Sequence, residues 1–470
     1  MKRLFVIIAA LLSVYVADAQ IKEFLLGKPK AELDATEWAD INTSAFYRLD
    51  ARSNIVAYSD ENDIESRNYE QSPFYVSLNG DWKMRLEKGC NSIGENLDAK
   101  TFSTEGWNLV SVPDSRWFKN GRPLQMPKIT SPSELPSTNN YVATYYKEFN
   151  VTKSWSDYDA ILRLQARSAY YVWVNNMYVG YAEDSRSISE FDITEFLKYG
   201  KTNNIILQVV GVSTGSLLEM NIPSTFAGIT GDAAIVLEPK VHVLDYQLKH
   251  DYEVRSGIGD FGMTINVANK NAKGKYYVEV ELWNPAGKAI EKMGKWVVFD
   301  KKNEVKCKLE REILQAQPWN ENNPTMYTVV VRLRNEAMEV IETIGTRFGF
   351  RHVEMQDGVL TLNGKEIALR GVVYNNYMYS NGTQLTREQI KKDLQLMKQN
   401  NINAVRTRLL SPAADYLYEL CDEYGMYVVC DANLTSFSGI GKAVSTDNEY
   451  SDLFVDRVKR MHAHYKNYTS

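Results

Sequence analysis

Beyond a polar arm that reaches about Arg67, apolar and polar residues alternate in short runs broken by turn residues for roughly 270 positions, the rhythm of all-β sandwiches. Tyr170–Val174 and Met177–Tyr181 are β-rich runs joined by Asn175-Asn176, whose tolerance of positive φ suits a two-residue hairpin. Phe191–Thr194 and Asn204–Val212 give further strands or edges. A break near Pro239 opens a second set, with Tyr276–Trp283, the turn Asn284-Pro285-Ala286-Gly287, Trp296–Phe299 and Tyr327–Leu333.

The second set has the usual length of a seven-strand immunoglobulin-like sandwich, about a hundred residues. From Thr361 the pattern changes to alternating strand and helix. Ile367–Val373 predicts a strand, and Thr386-Arg387-Glu388-Gln389 a capping box opening a helix with Ile390, Leu394 and Met397 on one face. That helix is expected to end near Asn400, with Asn403–Arg406 as the next strand. Ser411-Pro412 then supplies an N-cap and a proline at N1 for a helix running from Ala413 to Gly425, a good C′ residue. Met426–Cys430 gives a third strand, and a last amphipathic helix carries Phe454, Val458 and Met461 at helical spacing. Such alternation implies a parallel sheet, doubly wound or closed. A closed (β/α)₈ barrel takes about 250 residues and roughly 110 follow Thr361, so three to four of eight units are expected.

Composition narrows the partners. The 470 residues, 44% hydrophobic and 24% charged, suit two to four globular domains. A net charge of −5 without a Lys/Arg stripe argues against nucleic acid and anionic membrane as partners. Lys2 and Arg3 precede the apolar run Leu4–Val16 and then Ala17-Asp18-Ala19, the pattern of a signal peptide over 1–19 and of export to the periplasm or outside. The run is too short to span a bilayer, and no later segment spans either. Cys90, Cys307, Cys421 and Cys430 are too scattered for a disulfide scaffold; a Cys421–Cys430 bridge is conceivable, but two buried thiols are the favoured state.

Many segments in one order resemble the β-galactosidase branch of glycoside hydrolase family 2. They run from Ser72-Pro73-Phe74 and Leu78-Asn79-Gly80-Asp81-Trp82 through Val112-Pro113, Tyr145-Tyr146, Trp173-Val174-Asn175, Gly180-Tyr181, Ser185-Arg186 and Glu190–Thr194. Pro318-Trp319, Pro324, Tyr327, Arg347-Phe348-Gly349-Phe350-Arg351, Leu362-Asn363-Gly364-Lys365, Arg370-Gly371-Val372, Met397–Thr407 and Glu419–Gly425 continue the match. The resemblance implies a multidomain β plus α/β protein: a jelly-roll sugar-binding sandwich over 68–240, an immunoglobulin-like sandwich over 241–350, and the first three to four βα units of a (β/α)₈ barrel over 351–470, preceded by an arm over 20–67.

Family members are retaining hydrolases in which an acid and a nucleophilic carboxylate face each other about 5–5.5 Å apart. The resemblance places the acid in an Asn-Glu pair at the end of the fourth barrel strand and the nucleophile near the seventh. Lys466–Ser470 resembles the segment just before that fourth strand, so no catalytic residue is expected in this chain, which is expected to be inactive alone. The surviving half of the site is altered too. Val373-Tyr374-Asn375-Asn376-Tyr377 stands where the family has an Asn and then a His-rich run, and Leu409 stands at an imidazole position. Thr435 and Phe437 replace the carboxylate and imidazole that would hold a divalent cation, so the family magnesium site is expected to be lost and no cofactor is expected. Ile222 replaces a sugar-binding Asp, and Leu124-Gln125-Met126-Pro127 ends in proline where a substrate loop ends in Asn. Arg406, Asp431 and Asn433 remain as weak substrate-binding candidates; for Arg406 and Asp431 the alternative is a structural role, an ion pair at the barrel mouth for Arg406.

Asp192 and Arg186 are expected to be sandwich-corner residues. His242, His250, His352, His462 and His464 are expected to be surface or sandwich histidines. Trp117 and Tyr141, taken as exposed, could stack on a sugar ring. Carbohydrate is therefore the expected partner, with a second chain completing the barrel as an alternative.

Overall fold

The computed structural model describes residues 33–67, 69–98, 100–114, 116–119, 122–129, 134–185, 187–219, 225–375, 385–407, 415–434 and 444–470, with Ala35–Ser470 forming one compact unit. In the first sandwich the alternating pattern folds into a seven-stranded sheet facing a four-stranded one. The larger sheet orders its strands Ala45–Phe46, Met177–Glu183, Ala169–Val174, Lys201–Val210, Tyr141–Val151, Gly80–Lys88 and Asn108–Val112, all antiparallel. The smaller consists of Ser189–Asp192, Tyr158–Leu164, Ala234–Pro239 and Tyr75–Ser77. The expected hairpin is present: Asn175 and Asn176 take φ of 51° and 64°, the twist that a two-residue turn between right-twisted strands requires. Trp82, Tyr145, Tyr170 and Phe191 fill the space between the sheets.

The second sandwich has the expected seven strands, Val241–Glu253, Ile258–Asn269 and Glu304–Ile313 against Ala289–Asp300, Lys273–Trp283, Tyr327–Arg334 and Val340–Phe348. Asp192 and Asp159 of the first sandwich both bind Lys270 of the second at 2.8 Å, so Asp192 is a corner residue that also ties two domains. Third comes a parallel sheet of Gly371–Val373, Ala404–Arg406 and Tyr427–Val429, flanked by the helices Arg387–Gln399, Asp415–Tyr424 and Ser451–Tyr465. The Thr386/Gln389 capping box forms as expected, and Gly425 takes φ 65° beyond its helix.

Several expectations need correction. The first barrel strand begins at Gly371, because the Asn403 side chain satisfies the backbone of the preceding stretch: its Oδ1 accepts from the Arg370 N–H (2.7 Å) and its amide donates to the Ala368 carbonyl (2.9 Å). The last helix turns Leu453, Arg457 and Arg460 inward and leaves Val458 46% exposed, the face adjacent to the apolar stripe, since both guanidiniums find acidic partners across the interface. Trp117 is fully buried, donating its indole N–H to the Tyr145 hydroxyl at 2.7 Å, and Tyr141 packs on the same core; neither forms an open stacking face. His464 is largely buried between the arm and a barrel helix, whereas His462 is exposed. The arm itself buries Ile55–Tyr58. Among the described residues the four cysteines are free thiols, and no helix is long and apolar enough to cross a membrane.

Candidate functional site

Parallel βα units aim the C-terminal tips of their strands at one mouth, the place where such folds assemble sites. Val373, Arg406 and Val429 stand side by side in register at that mouth. Two residues beyond the third strand, Asp431 takes Arg406 in a two-point grip, Nε to Oδ1 at 3.0 Å and Nη2 to Oδ2 at 3.0 Å. The grip holds Arg406 above the usual arginine range, the hydrogen bonds it donates to Asp431 being the leading cause. Both candidates are thus brought together and occupy each other. Because Arg406 is 48% exposed, Arg406→Ala is expected to change unfolding free energy by no more than about 1 kcal/mol in urea titrations; a larger loss would show the pair to be a structural anchor.

Asn433 does something else. Its side-chain amide donates to Asp184 Oδ1 (2.9 Å) on the jelly-roll, so it docks the loop after the third strand onto the first sandwich. Asp184 sits at φ 89°, a conformation that costs about 1–3 kcal/mol and persists where surroundings fix it. Here Arg457 does the fixing: one guanidinium nitrogen donates to Asp184 Oδ1 at 2.9 Å and to Glu219 Oε1 at 2.5 Å, while Arg460 lies 3.7 Å from Asp184 Oδ2. Glu219 also receives both the N–H and the hydroxyl of Ser185. Burial alone would raise Asp184, but Arg457 and then Arg460 outweigh it and hold the carboxyl below its usual range.

Glu183 completes the cluster, accepting from the Thr214 and Tyr181 hydroxyls at 2.6 Å each. Burial pushes its carboxyl up to about 7 against those bonds and the charge of Arg457. Just below that pH Glu183 is neutral while Asp184 stays ionised opposite the two guanidiniums. A Cβ at Gly215 would meet Glu183 Oε2 at 2.8 Å and Arg457 Nη2 at 2.9 Å, which is why the position is glycine. A raised carboxyl stabilises the fold fully below its unfolded value of about 4.5, and that contribution is lost as pH climbs through about 7. Wild type is therefore expected to lose stability relative to Glu183→Gln between pH 5 and pH 8, by on the order of 3 kcal/mol, in paired urea titrations. A pH-independent difference would contradict the assignment.

The sequence did not single out this cluster; the readable signal was the pair of arginines three apart on one helix, whose partners are far off in sequence. Asn376, Tyr377, Leu409, Thr435, Phe437, Ile222 and Arg186 lie outside the described residues. Tyr374 does not face the mouth: it is buried, and its hydroxyl donates to Asp393 at 2.8 Å. At the described part of the mouth both oxygens of Asp431 are held by Arg406, and among the described residues no group of three or more His, Cys, Asp or Glu side chains is placed to hold a metal ion.

Three family descriptions match in succession: the sugar binding domain of glycosyl hydrolases family 2 over 75–239, glycosyl hydrolases family 2 over 241–351, and the family 2 TIM barrel domain over 353–470. The β-galactosidase of Priestia megaterium is 31% identical over 445 residues, covering 90% of this chain and 43% of its own. That of Halalkalibacterium halodurans is 28% identical over 450 residues, 92% of this chain and 43% of its own. The chain thus spans less than half the length of these curated relatives. Among solved structures, a Bacteroides uniformis β-glucuronidase superposes with a TM-score of 0.70 at 19% identity, over 84% of this chain and 46% of the other. A family 2 member from Bacteroides cellulosilyticus gives 0.67 at 19% identity, over 84% and 51%.

Proposed function

The chain belongs to glycoside hydrolase family 2, and on that premise we propose that it is the sugar-binding and entry-barrel portion of a β-galactosidase-like hydrolase which, as this polypeptide alone, does not turn over β-galactosides. The observation that carries the reading is the Arg406–Asp431 grip. Retaining hydrolysis takes two opposed carboxylates, one giving a proton to the leaving oxygen and one attacking the anomeric carbon. Asp431 is the carboxylate at the described strand tips, and its two oxygens are already engaged. The substitutions at Leu409, Thr435, Phe437 and Ile222 point the same way, because each removes a group that would hydrogen-bond a sugar or hold its cation, typically 1–3 kcal/mol apiece.

Calorimetric titration of the full chain with galactose is accordingly expected to give a Kd no tighter than about 1 mM. Saturation in the micromolar range would instead favour the second reading, a non-catalytic carbohydrate-binding protein. A third reading, completion of the barrel by a further polypeptide, is favoured by one feature. Val373 and Val429 are 50% and 43% exposed on a parallel sheet, an arrangement that is ordinarily covered on both faces. Export, with activity or binding in the periplasm or outside, is proposed from the leader pattern over 1–19.

A further inference from the structure

We propose that His464 is a pH-sensitive clasp that fastens the N-terminal arm to the barrel domain when its imidazole is doubly protonated and releases it when one proton leaves. The inference is independent of the hydrolase reading. A neutral imidazole has one N–H donor and one lone pair, whereas an imidazolium has two donors. His464 lies on the inward side of the helix Ser451–Tyr465, and each ring nitrogen faces an acceptor. Nδ1 lies 3.1 Å from the Arg52 carbonyl oxygen of the arm, and Nε2 lies 2.8 Å from Asp415 Oδ1, at the start of the helix Asp415–Tyr424. A backbone carbonyl offers no proton, and neither does an ionised carboxylate. Only the imidazolium satisfies both contacts; the neutral ring would turn a lone pair onto one of them.

The second oxygen of Asp415 closes the clasp from the other side, accepting from the Asn54 side-chain amide of the arm at 2.7 Å. One buried carboxylate therefore joins two points of the arm, Arg52 through the imidazole and Asn54 directly. Losing the proton would leave this carboxylate without its nearest cation, the costly event for a buried charge.

The surrounding charges are otherwise committed. Arg52 is paired with Glu190 and Glu238, and Arg163, on the first sandwich, shares Glu190. On the same helix as His464, Arg460 is directed to Asp184 and the Ile188 carbonyl. From the barrel helix, Glu419 pairs with Arg387, and the arm's Arg67 lies 3.6 Å from Asp422. Asp415 is the partner left to His464. Burial alone would lower the imidazole, but the charge and hydrogen bond of Asp415 and the bond to Arg52 raise it above its usual range, opposed by Arg163. A raised imidazole contributes stability fully below its unfolded value of about 6.5, and the contribution disappears as pH rises through the higher folded value.

The test is hydrogen–deuterium exchange of the full wild-type chain between pH 5.5 and 9.5, corrected for intrinsic exchange. Arm peptides spanning 48–58 are compared with the core strand Lys201–Val210. Arm protection is expected to hold at the acidic end, to fall by at most about tenfold per pH unit as pH rises above about 6.5, and to level off once the folded imidazole has lost its proton, with the core strand unchanged. Two variants separate His464 from other groups with raised values, among them Glu183, Glu342, Glu419, Asp422 and His352. His464→Gln is expected to remove the pH dependence of arm protection, and Asp415→Asn to move it to lower pH. Arm protection that stays parallel to the core across the range, or a pH dependence that survives in His464→Gln, would overturn the proposal; if either variant fails to fold, the wild-type profile decides.

Discussion

Replacing Arg457 with alanine is expected to cost about 3–5 kcal/mol, the usual penalty for leaving buried carboxylates without their cation. The side chain is 4% exposed, and its Asp184 and Glu219 partners are 2% and 0% exposed. Removing the guanidinium would take Glu219's ion-pair partner away, leave Asp184 to Arg460 at 3.7 Å, free the strained backbone at Asp184 and loosen the Asn433 contact that docks the loop after the third strand. Chemical denaturation followed by tryptophan fluorescence should show the loss. Adding Glu219→Gln to the alanine variant should recover part of it, because removing a second unpaired charge relieves the penalty created by the first. A loss below about 1 kcal/mol would mean that water enters and solvates the cluster, and that the jelly-roll does not hold the barrel helix through it.

Trp319→Ala is expected to cost a similar 3–5 kcal/mol, since it empties a large site and breaks a hydrogen bond. Trp319 is fully buried at the junction of the second sandwich and the barrel. Its indole N–H donates to the Asp422 carbonyl at 2.7 Å, and its ring meets Tyr427 edge-on at a centroid distance of 5.8 Å. Its backbone N–H donates to the Phe350 carbonyl at 2.7 Å, and a Cβ on Gly349 would lie 2.4 Å from its own Cβ. Trp319→Phe should keep most of the packing and forfeit the indole bond, landing about 1–2 kcal/mol above the alanine variant. Limited proteolysis of the entry segment 351–370, which carries the strands Val353–Gln356, Val359–Leu362 and Lys365–Glu366, gives a second readout: faster cleavage in the alanine variant is expected, and unchanged cleavage would place the domain anchor elsewhere.

What the sequence made legible was what local spacing controls. Alternation gave the two sandwiches, Asn175-Asn176 gave the hairpin turn, and Thr386 with Gln389 gave the start of the first barrel helix, because these depend on residues within a few positions of one another. The long-range polar contacts were not legible. Arg457 and Asp184 are 273 residues apart, and His464 and Arg52 are 412 apart. Phe454, Val458 and Met461 at helical spacing predicted an amphipathic last helix; Phe454 does pack against the core of the first sandwich, but Val458 is exposed. The helix turned toward Leu453, Arg457 and Arg460, because charge pairing across the interface decided which face is inward. Likewise the arm looked polar along its length, yet Ile55–Tyr58 are buried between domains whose positions no local pattern specifies. At the mouth, Arg406 and Asp431 were both readable as residues at strand tips, while their mutual grip was visible only once the two strands lay side by side.

The most direct measurement is hydrolysis of a chromogenic β-galactoside by the purified full chain. Release of chromophore is expected to be indistinguishable from the uncatalysed rate, in wild type and in Asp431→Asn alike. Protein-dependent turnover by the wild type, lost on Asp431→Asn, would contradict it by showing that this carboxylate leaves Arg406 and performs the chemistry.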